Sequence, residues 1–363
     1  MKSTHSNLYI GFMFFIFLCL VNPTISSNCT TLKQIHLVFR HGERSPSLVY
    51  PNDPNKSFWT DELGYLTKKG KLQMYNLGQR MRKKYSCFLS NYSTATDIKV
   101  LSSYSDRCLM SAQLFNSGFL VPENEQIWNQ ELLWQPVPIS YKPRNEDNLI
   151  ATKQKCKKFD DLYVQLFSTP KYKKILEDNS DLFKYLTEQT GMEIDTMRKV
   201  EELYNTLEIE QLQNLNLPTW TEKVFPSSMK PIAELSLASF TDTDFMKRMK
   251  GGPFVKKVLE EMKKKSANEN IPKLNIYSGH DITLVNILRT LGFSDKLKPN
   301  FAAYLIFELH LTPNPEIKIF YNDCGWCKEE ELKLRNDEIS CSIEEFEQQL
   351  KPLIPEDWQK ECE

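Results

Sequence analysis

Ile35-His36-Leu37-Val38-Phe39-Arg40-His41-Gly42-Glu43-Arg44-Ser45-Pro46 is the stretch that decides the fold. Its first five residues form a short, mostly apolar run that reads as a buried strand. The strand then delivers two arginines, a histidine and a glycine to its carboxyl end within Arg40–Arg44. Two guanidiniums flanking an imidazole suit a phosphate oxyanion, because each can donate two hydrogen bonds to adjacent oxygens. Gly42 is expected to clear a side chain where the backbone turns and approaches a ligand. The competing expectation is an ordinary charged loop in which Arg44 pairs with Glu43.

Two other segments share this grammar. Residues 97–103 (DIKVLSS) read as a strand ending just before Asp106 and Arg107, and residues 273–277 (KLNIY) as one ending just before His280 and Asp281. Helical patterns follow all three, over residues 64–86, 107–118 and 281–291. Strand-to-helix alternation predicts an α/β fold with a largely parallel central sheet flanked by helices. Ligands bind such sheets outside the carboxyl ends of the strands, so three charged clusters far apart in sequence should meet at one edge. Residues 150–250 differ: helical patterns at 152–167, 181–189 and 193–213, with few strand candidates, predict a helical cap inserted into the core. The expected division is a leader over 1–26, an α/β core over 27–150 and 250–363, and a cap over 151–249. After residue 300, AAYLIFELHL and EIKIFYND read as two strands, paired antiparallel across Thr312–Pro315, and Ile343–Leu350 as a last helix.

Each charged residue has a chemical reading. His41 is the candidate nucleophile, since a neutral imidazole can take a phosphoryl group and pass it to water. Arg40, Arg44, Arg107 and His280 are the candidate phosphate-binding set. Asp281 is the candidate general acid, although its place at a helix start also suits an ordinary N-cap. Arg107 has a plain alternative too, as the partner of Asp106 at a helix start. His36 and His310 fall inside strands and read as core or sheet-face residues. No H-E-x-x-H, paired C-x-x-C, Walker-type loop or dinucleotide glycine loop occurs, so neither metal nor organic cofactor is expected. Gly251-Gly252-Pro253 reads as a turn leading into a helix.

Composition bounds the setting. Lys2 followed by the apolar run YIGFMFFIFLCLV, then small residues near Thr24 and Ser26, predicts a secretory signal peptide. That run is too short and terminal for a stable membrane anchor. Of nine cysteines one, Cys19, lies in the leader, and eight remain, an even number suited to disulfides in an oxidising compartment. Sequons stand at Asn28, Asn55 and Asn91. The formal net charge of −1, with no polybasic segment, gives no reason to expect a nucleic-acid partner. Cys324-Gly325-Trp326-Cys327, after a strand and before a helical-looking KEEEL run, superficially resembles a thioredoxin redox motif. It is one local signal set against three convergent clusters.

R-H-G-x-R-x-P, together with Ser105-Asp106-Arg107, Leu109-Met110-Ser111-Ala112, Ser278-Gly279-His280-Asp281 and the tail Pro355-Glu356-Asp357-Trp358…Cys362, resembles the histidine acid phosphatase family over roughly residues 31–362. The prostatic, lysosomal and insect-venom enzymes and many phytases belong to that family. The resemblance implies a phosphoglycerate-mutase-like core and a secreted or lysosomal acid phosphatase acting on a small-molecule phosphate monoester. It implies His41 as the phosphorylated residue, Arg40, Arg44, Arg107 and His280 as holders of the phosphoryl group, and Asp281 as the proton donor. A homodimer is allowed. It also implies a Cys156–Cys362 bridge. Relatives of the prostatic type close a small loop with a cysteine four residues before Cys341; this chain has Asp337 there, so Cys324 or Cys327 is the expected partner of Cys341. Cys29, Cys87 and Cys108 are left unassigned. Two alternatives stand beside this reading: a phytase-type phosphatase, which would want a larger and more basic pocket, and a catalytically weak secreted binding or venom protein on the same fold.

Overall fold

The computed structural model describes residues 29–59, 63–88, 96–334 and 338–363. The expected leader and the sequons at Asn28 and Asn91 lie outside them. In chain order the elements are β1 (Leu32–Arg40), α1 (Lys68–Lys84), β2 (Ile98–Ser102), α2 (Asp106–Phe119), β3 (Ile139–Tyr141), α3 (Lys157–Leu166), α4 (Pro170–Asp178), α5 (Ser180–Thr190), α6 (Met197–Leu212), α7 (Met229–Ala238), α8 (Asp244–Lys250), α9 (Gly252–Ser266), β4 (Leu274–Gly279), α10 (Asp281–Thr290), β5 (Tyr304–Thr312), β6 (Asn314–Asn322), β7 (Glu330–Glu331), β8 (Cys341–Ser342), α11 (Ile343–Leu350) and α12 (Trp358–Cys362). They build one mixed sheet in the order β3-β2-β4-β1-β5-β6-β7, with β8 also on β6. The four strands from β3 to β1 run parallel, and the sheet continues antiparallel from β5 outward.

The sheet is covered on both faces, which is why β1 is buried along nearly its whole length rather than on alternate residues. Leu37 and Phe39 pack with Met74, Leu77 and Phe115 of α1 and α2. Val38 points the other way, into a cluster with Phe254, Val258, Leu284 and Phe346 of α9, α10 and α11. His36 is buried in this sheet, its Nδ1 3.1 Å from the Tyr277 hydroxyl. Burial first, then Lys257, pushes its imidazole down to about 3. His310 lies between Thr31 and Glu308.

Between β3 and α9 the described chain contains helices and no strand. Helices α3 to α8 share an apolar cluster of their own, including Phe159, Tyr172, Leu186, Leu203 and Met246. Its link to the C-terminus is the Cys156–Cys362 disulfide, reinforced by Arg248 on Glu361 and by the Trp358 indole donating to the Met249 carbonyl. The Gly251-Gly252-Pro253 turn does open a helix, α9.

Two expectations fail near the C-terminus. Cys324 bonds to Cys327, and Cys341 is a free, buried thiol. Cys341 sits on β8 opposite Ile317 of β6, so sheet pairing sets its position. The KEEEL run is not helical: Glu330 and Glu331 pair with Tyr321 and Phe320, extending the sheet. A third bridge joins Cys29 and Cys87, and Cys108 is free.

Candidate active site

Parallel registry brings three strand ends to one level. Arg40 is in register with Gly279 and Ser102 with Ser278. Beyond the ladder, the His41 amide donates to the Gly279 carbonyl at 3.0 Å, and the Ser103 amide to the Ser278 carbonyl at 2.9 Å. The chain leaves this edge as the signature loop, as α2 and as α10. Every residue expected from the sequence (Arg40, His41, Arg44, Arg107, His280 and Asp281) is brought to this one edge.

His41 is 3% exposed. Its Nδ1 lies 2.8 Å from the Gly42 carbonyl, an acceptor only, so Nδ1 carries the proton and Nε2 keeps a free lone pair. Burial first, then Arg107, Arg40, His280 and Arg44, holds the imidazole well below its ordinary pKa, hence neutral. His280 stands edge-on to it, with ring centroids 5.6 Å apart. Arg107 Nη2 donates to His280 Nδ1 at 3.3 Å, so His280 Nε2–H faces the Ser103 hydroxyl at 2.8 Å. Burial and Arg107 push His280 down to about 3.

Arg40 is fixed on three sides: by the Asp281 carboxylate at 3.0 Å, by the Pro299 carbonyl at 2.6 Å, and by the Phe301 ring, 4.0 Å from its guanidinium carbon. Arg44 donates to the Ser45 carbonyl rather than to Glu43. Burial, with Arg107 and Arg40 close by, pushes its guanidinium down to about 9. Arg107 does not pair with Asp106, whose carboxylate accepts the Tyr65 hydroxyl instead. Arg40, Arg44 and Arg107 each keep a buried Nε without a hydrogen-bond partner. Three mutually repelling guanidiniums with unused donors form a field that an oxyanion would relieve.

Asp281 opens α10, and its Oδ1 accepts the Ile282 amide. Burial alone would raise its pKa, but Arg40, Lys298, that amide and His280 outweigh burial and hold it well below the usual carboxylate range.

Gly42 acts differently from the expectation. A Cβ there would stand 2.3 Å from the Gly70 carbonyl oxygen of α1, so the glycine serves a close helix approach and not a ligand. Glu43 turns away from the arginines. It is fully buried, accepts from Thr67 at 3.0 Å and from Gln213, and pairs with Lys69 at 3.1 Å. Thr67 also caps α1 by accepting from the Gly70 amide. The signature loop is thereby tied both to α1 and to the end of α6.

Sequence reasoning missed Pro299, Phe301 and Lys298, which precede β5. Nothing in their local pattern marks them; the sheet order that sets β5 beside β1 does. Ser103 was open to discovery, since it stands at the predicted end of a strand whose next residues carry Arg107.

The profile of the Histidine phosphatase superfamily (branch 2) matches residues 31–322. The chain is 31% identical to prostatic acid phosphatase of Homo sapiens over 98% of its own length and 94% of that protein. It is 31% identical to lysosomal acid phosphatase of Rattus norvegicus, over 96% of this chain and 84% of that one. Among solved structures, the Hafnia alvei phytase in complex with myo-inositol hexakis sulphate superposes with a TM-score of 0.67 at 13% identity, over 91% of this chain and 98% of that one, a likeness of fold. The chain whose three strand ends gather these arginines and histidines belongs to the histidine phosphatase superfamily, branch 2.

Proposed function

We propose that the chain is an acid phosphatase that hydrolyses small phosphate monoesters through a phosphohistidine at His41. The observation that supports this most is the tautomer of His41: Nδ1 occupied by the Gly42 carbonyl, Nε2 free and unprotonated among three arginines with unused donors. Arg40, Arg44 and Arg107 hold the phosphoryl oxygens, and His280 keeps Arg107 aligned and borders the same space. Nε2 attacks phosphorus while the ester oxygen departs with a proton from Asp281. Water then breaks the P–N bond, returns a proton to Asp281 and leaves inorganic phosphate. Positioning and charge stabilisation supply most of the rate in such a transfer.

Asp281 is ionised in the ligand-free site because Arg40 faces it. A bound phosphate draws on the same guanidinium and raises the carboxyl, so activity belongs at acidic pH, where the donor is protonated in the complex. The three disulfides suit the oxidising compartment that a secreted or lysosomal enzyme meets. The division into a core and a cap over 151–249 goes with this reading. Of the sequons, Asn55 already spends its side-chain amide on Glu210 and on the Asn216 carbonyl, so Asn28 and Asn91 are the better glycan acceptors.

A fluorogenic phosphate monoester tests the activity, and rapid quenching into alkaline detergent, which the P–N bond survives, traps the acid-labile phosphohistidine. Turnover with a trapped His41 adduct is expected, and His41→Ala should lose at least about a thousandfold in kcat. A folded His41→Ala enzyme with near wild-type turnover would sink the mechanism.

A further inference from the structure

One wall of this edge carries charge that the phosphoryl chemistry leaves unused. The segment from Arg144 to Lys153 joins β3 to the start of the cap. Asp147 organises it, its carboxylate accepting the amides of Leu149, Ile150 and Ala151 at 2.8–2.9 Å. Thr283 of α10 donates its hydroxyl to the Ile150 carbonyl at 2.7 Å, and Lys250 donates to the Thr152 carbonyl at 2.9 Å. The segment is therefore fastened to the helix that begins with Asp281.

Two cations project from its ends. Arg144 and Lys153 are both exposed, and among the described residues neither makes an ion pair or hydrogen bond through its side chain. The Arg144 guanidinium lies 5.9 Å from the ring centre of Tyr104, which follows Ser103 at the end of β2. The Lys153 ammonium lies 5.9 Å from the Phe240 ring. Lys153 is close enough to Asp281 and His280 to act on both electrostatically, and desolvation followed by Arg198 and Arg144 lowers its own pKa. Arg198 is engaged with Glu202 at 3.0 Å, which leaves Arg144 and Lys153 as the unspent pair. The two cations stand on a braced segment without a direct ion pair among the described residues, with Glu201 and Asp281 acting on Lys153 only at longer range, an arrangement that suits an anion on the leaving group.

We propose that Arg144 and Lys153 form a subsite for a second anionic group, carboxylate or phosphate, carried by the alcohol of the phosphate monoester. Tyr104 supplies a flat face along which that alcohol lies. The inference rests on the phosphatase reading above and names its substrate class: small monoesters whose leaving group is itself an anion.

Matched esters test it. Phenyl phosphate is compared with 3-carboxyphenyl phosphate, whose meta carboxylate changes the acidity of the phenol little. Propane-1,3-diol monophosphate is compared with the 1,3-bisphosphate, which separates phosphate from carboxylate as the second anion. In the wild-type enzyme at low ionic strength kcat/KM should favour the anionic member by roughly tenfold, the scale of two partly exposed charge contacts, and salt should erode the preference. In Arg144→Gln/Lys153→Met the ratio should fall to about one, and Lys153→Arg should keep most of it. A wild-type ratio of one or below in both series would overturn the subsite. So would an unchanged ratio in a double variant with wild-type circular dichroism. If the wild-type protein hydrolysed none of the four esters, the phosphatase reading would fall instead. Calorimetric binding of benzylphosphonate against its 3-carboxy derivative would then read the same ratio without turnover, tenfold supporting the subsite and unity overturning it.

Discussion

Asp281 holds two jobs that separate cleanly by substitution. As the first residue of α10 it accepts the Ile282 amide, and as the partner of Arg40 it faces the proposed phosphoryl position. Asparagine caps a helix about as well as aspartate but cannot hand over a proton in the same way. Asp281→Asn should therefore lower kcat for alkyl phosphates by about a hundredfold or more, since poor leaving groups need protonation. It should cost nitrophenyl phosphate much less, because that phenolate departs unaided. Equal turnover of both esters at wild-type rates would return the residue to capping alone. At this scale the sequence was nearly sufficient: charged and titratable types at three strand ends are a chemical signal, and all six expected residues reach one edge. Gly42 was legible as a constraint but not as a cause, because its reason is the Gly70 backbone of a helix that only the tertiary packing brings there.

Elements were legible in proportion to their periodicity. α1, α2, α10 and α11 and the strands before the charged clusters stand close to where the pattern put them. β3 was missed because three residues beside Pro136 and Pro138 carry almost no pattern, and pairing with β2 makes the strand. KEEEL looked helical because glutamate, lysine and leucine favour helix, a weak preference that pairing with β6 overrides. α6 shows how one helix couples the layers: Glu201 lies under the site and accepts from Ser236, Gln213 reaches Glu43, and Glu210 lies against the loop after the signature. Burial first, then the neighbouring Asp53, raises Glu210 to about 7, with the Asn55 amide and the Trp59 indole opposing. Asp53 is raised too, by burial, with the Asn55 amide and Lys56 opposing. A carboxyl whose pKa rises on folding adds stability that is complete below its unfolded pKa and is lost as pH climbs through the folded value. The window here runs from about 4.5 to about 7. The Tm should fall across that window in the wild-type protein, and Glu210→Gln should flatten the fall by about 2–4 °C in thermal scans at pH 4.5, 6 and 7.5. An identical slope in the variant would show that another group carries the proton.

For the whole molecule, the question is what keeps the helical layer seated on the sheet. The clearest covalent tie is Cys156–Cys362, which spans 206 residues of chain and fastens the C-terminal helix α12 into the apolar cluster of helices α3 to α8. A bridge closing so long a loop restricts the unfolded chain strongly, and removing it costs a secreted domain about 2–5 kcal/mol. Arg40, His41, Arg44 and Arg107 stand on β1, the loop after it and α2, all braced by the sheet and by α1 rather than by this bridge. Replacing both cysteines by serine should therefore lower the unfolding free energy in a denaturant titration by that amount while leaving kcat at 25 °C within about threefold. Cys324–Cys327 and Cys341 give the complementary case. Burial first, then Glu345, Glu338 and Glu316, pushes the Cys341 thiol up to about 12, so it stays protonated, and β8 sets it opposite Ile317, well back along β6 from the Cys324–Cys327 bridge that follows that strand. A redox role for the C-G-W-C motif would therefore rest on the Cys324–Cys327 pair alone. Non-reducing peptide mapping should recover Cys29–Cys87, Cys156–Cys362 and Cys324–Cys327, with Cys341 alkylated only after unfolding. A Cys341 adduct formed rapidly in the native protein, together with reduction of Cys324–Cys327 by mild dithiol at unchanged fold, would bring the redox reading back.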